Sequence, residues 1–278
     1  MDPIDYLRSL GGVARTGALL RAGFTRREIG SLEGRARRPR KGLWALPDAN
    51  PDFLFALMRD GLITCGSAAS YHGLWIRSAP DRRHLATRHA RAQGCVSHRK
   101  LLFPPHHDLP LVSVEDALIH ALGCMDAPQA VSMVESAARA GRAKRETLWT
   151  ALDSRSDARA RKVLAQVIFD TDRQAQSQPE VEARLLFLAQ GWEVETQVWL
   201  PGVGTVDFRI ERVLPVEIDG FKYHGDRKSF AKDRYRMNAA LLQGQPTLRY
   251  LPERIWYDRQ SVVDEIARVL ELWPHFLP

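Results

Sequence analysis

The chain has 278 residues, of which 45% are hydrophobic and 26% are charged, and its formal net charge is +7. These values are typical of a folded globular protein of about two domains, and they exclude a disordered, collagen-like or coiled-coil chain. Because the sequence lacks both a long apolar run and a basic-then-apolar leader in residues 1–5, we expect a cytoplasmic protein with no membrane partner.

Positive charge is concentrated near the N-terminus. Residues 1–100 contain 18 Lys and Arg against 8 Asp and Glu, whereas residues 101–278 contain 22 against 25. The densest block consists of Arg26, Arg27, Arg35, Arg37, Arg38, Arg40 and Lys41. Basic blocks attract phosphates, and arginine is favoured over lysine in nucleic-acid recognition, although a merely solvated surface is the alternative. We predict that these seven residues bind double-stranded DNA.

Short helices are predicted around this basic block. The pattern indicates a helix over 2–10, a second that begins at Thr16, and a third over 26–33 that Thr25 caps. The alternating stretch 42–46 then suits a two-stranded wing. This order is typical of a winged helix-turn-helix, in which the third helix enters the major groove and the wing contacts phosphates.

The stretch GGVARTGALLRAGFTRREIGSLEGRARRPRKGLWAL at 11–46 resembles the winged-helix N-terminal domain of AbiEi-type antitoxins. The resemblance implies DNA binding by the third helix and the wing. It leaves open whether this binding serves regulation or targeting, and a toxin partner or a homodimer is compatible with it. We therefore predict a DNA-binding domain over 1–48.

Residues 49–176 are predicted to form a mixed α/β middle domain and a linker. The cysteines in it, Cys65, Cys95 and Cys124, lack the paired spacing of zinc sites, so we interpret them as buried thiols rather than ligands. The histidines also lack a regular metal-binding spacing, and we expect them in loops or at the surface.

From residue 177 onward the pattern changes to helix, strands, helix and strand. Strands are predicted over 193–199, 205–210 and 214–219. Strand alternation places Asp207 on the face opposite Val206, Phe208 and Ile210, and it gives Glu217 and Asp219 one common face. If the last two strands form a hairpin, Asp207, Glu217 and Asp219 converge. Crowded carboxylates favour a Mg²⁺ or Mn²⁺ site, whereas the alternative is an ordinary solvated sheet face.

Further polar residues flank these strands. Glu182 lies at the border of the apolar side of the first helix, and Lys222 and His224 follow Gly220 in a short loop. Asp233 and Arg234, on the next helix, either support the site or form an ordinary salt bridge.

The stretches VEARLLFLAQGW, TVDFRI, VEIDGFKYHGD and AKDRYRMNAALLQG, within 181–244, resemble the Vsr-like branch of the PD-(D/E)XK nuclease superfamily. The resemblance implies a Mg²⁺-dependent phosphodiesterase over 177–278. The catalytic residues that it implies are Glu182, Asp207, Glu217, Asp219 and His224. Asp219 stands where the superfamily has a lysine, so the positive charge would come from Lys222, His224 or Arg234.

Together these features predict an α/β protein of the multidomain α+β type, with a winged helix, a mixed α/β middle domain and a C-terminal mixed sheet flanked by helices. The function they favour is a Mg²⁺-dependent DNA endonuclease in phage defence or DNA repair. The alternative is a non-catalytic, antitoxin-like transcriptional regulator with a degenerate nuclease fold. Action on RNA is less favoured, because the sequence has no aromatic-rich sheet motif.

Overall fold

Helices and small sheets alternate along the protein. A computed structural model describes residues 2–87, 94–170, 175–219 and 227–272, without the side chains of 227–233. The chain packs as two compact units, one formed by 1–125 and 145–162 and the other by 126–144 and 163–278. Both units contain helices and strands, which confirms the predicted α/β class. Every helix within the described ranges is too short or too polar to span a bilayer.

The N-terminal unit begins with three helices and an antiparallel sheet of strand order β1-β3-β2. Its elements are α1 (Pro3–Ser9), β1 (Val13–Arg15), α2 (Thr16–Arg21), α3 (Arg26–Gly30), β2 (Arg37–Arg40) and β3 (Leu43–Ala45). The sequence pattern did not predict β1, and α3 ends at Gly30 rather than at Glu33. Thr25 and Glu28 form a reciprocal capping box that starts α3.

Apolar packing holds α3 and the β2–β3 hairpin in place. Leu7, Leu19, Ile29 of α3 and Trp44 are buried together, and the Trp44 indole N–H donates a hydrogen bond of 3.2 Å to the Thr16 hydroxyl. The exposed side of α3 is thus presented by a packed scaffold.

The rest of this unit contains a second sheet of strand order β4-β5-β6, in which β4 and β5 are antiparallel and β5 and β6 are parallel. Its elements are α4 (Pro51–Met58), β4 (Leu62–Ile63), a 3₁₀ helix (Cys65–Ala68), β5 (Arg83–Ala86), β6 (Cys95–His98), α5 (Val114–Cys124), α7 (Arg145–Arg155) and α8 (Ala158–Leu164), whose last two residues belong to the other unit. One apolar cluster continues from Val13 and Leu43 through Phe53 to Leu85 and Leu111. Packing is therefore continuous across the predicted boundary at residue 48.

The C-terminal unit is built on a mixed sheet of strand order β10-β9-β8-β7. Its elements are α6 (Ala127–Arg139), α9 (Gln178–Leu188), β7 (Val194–Leu200), β8 (Gly204–Ile210), β9 (Leu214–Ile218), α10 (Arg227–Leu242), β10 (Leu248–Tyr250), α11 (Pro252–Tyr257) and α12 (Arg259–Leu272). Strands β7, β8 and β9 are antiparallel neighbours, and β10 runs parallel to β9.

A tight turn sets the register of the β8–β9 hairpin. The Val213 N–H donates to the Ile210 carbonyl at 3.1 Å, and both central residues, Glu211 and Arg212, have positive φ. The connection consists of the three residues 211–213, and Ile210 pairs with Leu214 across it. Phe208 thereby pairs with Val216, and the Phe208 ring packs edge-on against Phe187 of α9.

Candidate active site

The hairpin register brings carboxylates of β8 and β9 to one side of the sheet. Phe208 lies opposite Val216, so in the same register Asp207 lies opposite Glu217. Asp219 is two residues beyond Glu217 and therefore belongs to the same face. The three acids predicted to converge thus share one side of adjacent strands.

Asp207 lies at the centre of this group. One of its oxygens accepts the Ile218 backbone N–H at 2.7 Å. Burial, followed by the negative charges of Glu180 and Asp219, raises the pKa of Asp207 from its ordinary value of 3.8 to about 7, against the opposing charge of Arg236. Asp207 is consequently a carboxyl group whose ionisation is costly without a nearby cation.

Glu217 is buried and is held by two arginines. Its oxygens lie 2.8 Å from Arg236 of α10 and 2.6 Å from Arg249 of β10, which is its register partner. Burial raises the pKa of Glu217, and the charges of Arg249 and Arg236 oppose that rise. Arg249 also approaches Asp219, at 3.8 Å. These two guanidinium groups supply positive charge among the carboxylates of Glu217 and Asp219.

These arginines were not among the predicted sources of positive charge. Arg234 is exposed and contacts the Met237 sulfur at 3.5 Å, whereas Arg236, two residues later on α10, is the one that binds Glu217. Lys222 and His224 lie outside the described residues, as does the side chain of Asp233. The supporting role of Arg234 stays a prediction, and Arg236 is the arginine of α10 that the structure places at Glu217.

The helix α9 brings Glu180 close enough for its charge to act on Asp207, and the sequence pattern did not predict this residue. Among the charged groups that the structure describes, Glu180 has the largest effect on the pKa of Asp207. Glu182 is instead bonded to the Gln178 amide at 3.0 Å and to Arg259 at 3.1 Å. The two glutamates are about 200° apart around the helix, so they face different surroundings.

Local hydrogen bonds hold Glu180 in position. Its oxygens accept the Gln176 backbone N–H at 2.7 Å, the Ser177 hydroxyl at 2.7 Å and the Gln197 amide at 3.2 Å. Burial raises the pKa of Glu180. The spacing Ser177-x-x-Glu180 is that of a helix capping box. The sequence around Glu180 therefore indicates a structural role at the helix start and does not indicate that Glu180 lies near Asp207.

The predicted DNA-binding residues lie at the surface of the N-terminal unit. All seven are exposed: Arg26, Arg27, Arg35, Arg37, Arg38, Arg40 and Lys41. Arg38 pairs with Glu33 at 3.0 Å and stacks on Trp44, whereas Arg40 binds Asp60 at 2.7 Å. The pKa of Asp60 is lowered, first by its hydrogen bond from Arg40.

Four of these seven residues remain without an acidic partner among the residues that the structure describes. They are Arg26, Arg27, Arg37 and Lys41, on α3 and on the β2–β3 hairpin. Exposed cations without a counter-charge attract a polyanion such as nucleic acid.

The acidic group offers oxygen ligands only, which suit Mg²⁺ or Mn²⁺ better than zinc. Asp207 has one oxygen outside its bond to Ile218, and the side chain of Asp219 is 46% exposed. Both oxygens of Glu217 are engaged by arginines. In the hydrogen bonds and ion pairs described above, Asp207 and Asp219 each keep a carboxylate oxygen that is not engaged.

Comparison of the chain with protein-family models and with curated proteins gives no match.

Proposed function

We propose that the protein is a Mg²⁺-dependent endonuclease that hydrolyses phosphodiester bonds in double-stranded DNA. In this proposal the C-terminal unit performs the reaction, and the basic surface of α3 and the β2–β3 hairpin binds DNA. The observation that supports it best is the group of carboxylates on one side of β8 and β9, with the pKa of Asp207 raised to about 7.

Electrostatics explains why this group favours a cation. The negative charges of Glu180 and Asp219 disfavour ionisation of the partly buried Asp207, and the charge of Arg236 does not restore its ordinary pKa. A divalent cation would compensate the remaining negative charge. When bound there, Mg²⁺ supplies charge neutralisation at a phosphate and lowers the pKa of a coordinated water.

The residues of the chain have distinct roles in the proposal. Asp207 and Asp219 would hold the ion through their available oxygens. Glu217 would be a positioning residue, because it fixes Arg236 and Arg249 within the group. Arg249, close to both Glu217 and Asp219, would stabilise negative charge on a phosphate.

Metal-dependent cleavage of DNA tests the proposal. We expect the purified full-length protein to nick or cut plasmid DNA in Mg²⁺ and to stop in EDTA. Asp219→Asn is expected to lower the cleavage rate at least about tenfold. Asp264→Asn is the matched control, since Asp264 is exposed on α12, and it should leave cleavage unchanged. Intact DNA in every metal and on every DNA form tested would overturn the proposal.

A second candidate is a DNA-binding regulator without catalysis. Two observations favour it: arginines occupy both oxygens of Glu217, and Arg26 and Arg27 of α3 are exposed and have no acidic partner within the described part of the chain. A regulator would bind one DNA sequence tightly, bind it equally well after Asp219→Asn, and cleave nothing.

Both candidates require the basic surface to contact DNA. Replacing Arg26 and Arg27 together by Gln is expected to weaken binding of duplex DNA and to reduce the slope of log K against log salt by about 2, since each phosphate contact contributes about 0.9. Fluorescence anisotropy over a salt series measures this slope. Arg268→Gln, at an exposed position of α12, is the control. An unchanged slope in the double variant would exclude α3 from the DNA interface.

A further inference from the structure

Four side chains from four separate elements bring metal-binding atoms together in the N-terminal unit. Cys65 begins the 3₁₀ helix, His84 belongs to β5, His98 ends β6 and Cys124 ends α5. One sulfur or ring nitrogen from each lies within 4.8 Å of all the others.

The distances within this group are close to those of a tetrahedral site. His84 Nδ1 lies 2.9 Å from His98 Nε2 and 3.8 Å from Cys124 Sγ. Zinc bonds of about 2.0–2.1 Å to nitrogen and about 2.3 Å to sulfur place tetrahedral ligand atoms about 3.3–3.8 Å apart. Side-chain shifts of about an ångström or less would reach that geometry.

The fold points these groups at one another. Ala86 pairs with His98 in the parallel β5–β6 register, and His84 is two residues before Ala86, so both histidines share one face of the sheet. The Thr64 backbone N–H donates to the His84 carbonyl at 3.1 Å, which places the neighbouring Cys65 beside β5.

A third histidine supports the arrangement from outside. The His120 ring stacks on His98 with centroids 4.7 Å apart, while its Nδ1 is bonded to the Thr64 hydroxyl at 2.7 Å. Its Nε2 lies 3.3 Å from the Arg99 carbonyl. His120, held at both ring nitrogens, therefore packs against one face of the His98 ring.

We propose that Cys65, His84, His98 and Cys124 form a structural zinc site. Two thiolates and two imidazoles are a ligand set that selects zinc, and four protein ligands leave no open position for a substrate. The site would link the 3₁₀ helix, β5, β6 and α5. This proposal is independent of the nuclease proposal, because that site is in the other unit and has oxygen ligands.

Hydrogen bonding alone is the simpler account of the same group, and a Cys65–Cys124 disulfide is another. Both thiols are free in the structure. The convergence of four metal-binding atoms, each from a different element, favours a shared ion over separate pairwise bonds. From the sequence alone these cysteines are predicted to be buried thiols, because single ligands at 65, 84, 98 and 124 lack the paired spacing of zinc motifs.

Metal analysis of the full-length protein tests the zinc site. We expect the protein, purified under reducing conditions, to contain one zinc per chain by elemental mass spectrometry. After removal of the zinc, added Co²⁺ should give thiolate charge-transfer and tetrahedral d–d absorption. Cys124→Ser and His98→Gln are each expected to weaken zinc binding at least a hundredfold, because even loss of an outer contact costs about 10–100-fold.

Cys95→Ser is the matched control, since Cys95 is buried in β6 and is not one of the four ligands. It should retain one zinc. If Cys124→Ser does not fold, the cobalt spectrum of the wild-type protein decides by itself, because only sulfur ligation gives the charge-transfer band. The proposal would be overturned if the wild-type protein took up neither zinc nor cobalt. It would also be overturned if the intact mass of the protein showed the loss of two hydrogens that a disulfide causes, or if Cys95→Ser lost as much metal as Cys124→Ser.

Discussion

Replacing Asp207 by Asn is expected to stabilise the C-terminal unit while it abolishes DNA cleavage. Cleavage in Mg²⁺ should fall at least about a hundredfold, since the carboxylate proposed to hold the ion becomes a neutral amide. The Asn oxygen can still accept the Ile218 N–H, so the local hydrogen bond is kept. Plasmid cleavage and thermal unfolding of the same preparations measure the two effects.

The gain in stability should depend on pH. Burial first, and then the charges of Glu180 and Asp219, raise the pKa of Asp207 from 3.8 to about 7. The unfolded chain therefore releases this proton at lower pH than the folded chain does, and the folded state loses stability as the pH rises from about 4 to about 7. The Asp207→Asn variant does not lose stability in this way, because an amide side chain does not ionise over this pH range. We expect the variant to gain on the order of 2 kcal/mol at pH 8, and less at pH 5.

Unfolding should be measured in EDTA, because a bound cation would favour the carboxylate. Asp264→Asn is again the control, and it should show neither effect. A stability gain that is equal at pH 5 and pH 8 would mean that Asp207 does not have a raised pKa. Full cleavage by Asp207→Asn would remove this residue from the catalytic group.

The second large effect is expected at a buried ion pair of the C-terminal unit. Arg184 and Glu135 are 2% and 1% exposed, and their closest atoms are 2.6 Å apart. Arg184 also donates to the Gln166 carbonyl, and Glu135 accepts the Ile168 N–H. Arg184→Met is expected to cost about 3–5 kcal/mol in urea unfolding, because it leaves a buried carboxylate without its counter-charge.

A second substitution separates the charge effect from lost packing. Adding Glu135→Gln to Arg184→Met should recover much of the loss, since a neutral amide can still accept from Ile168 and leaves no buried charge. Arg268→Met, at an exposed position, should be close to neutral. If the double variant is less stable than Arg184→Met alone, the charge imbalance is not the cause.

Local patterns predicted a large part of the fold. Thr25 and Glu28 form their capping box where the sequence places a helix start, and the β8–β9 hairpin closes over the short connection 211–213. Both features depend on neighbouring residues and on strand alternation, which a sequence shows directly. The strand β1 was missed, because its three residues acquire their conformation by pairing with β3.

The surroundings of the acids were harder to predict. Arg249 reaches Glu217 from a parallel strand that returns after a helix, and Arg236 reaches it from that helix. Which of several arginines faces the acids depends on helix rotation and strand register. Glu180 was hidden for the same reason, since helix periodicity alone did not show which side of α9 approaches Asp207.

The order of segments in the two units has a consequence for dividing the protein. The stretch 126–144 packs with the C-terminal unit, and the chain then returns to the N-terminal unit for 145–162. A gene split after residue 162 would leave Glu135 on the first fragment and its partner Arg184 on the second. Each fragment would lack part of the packing of its unit. Recombination that transferred the C-terminal unit to another protein would therefore have to move both of its segments, 126–144 and 163–278.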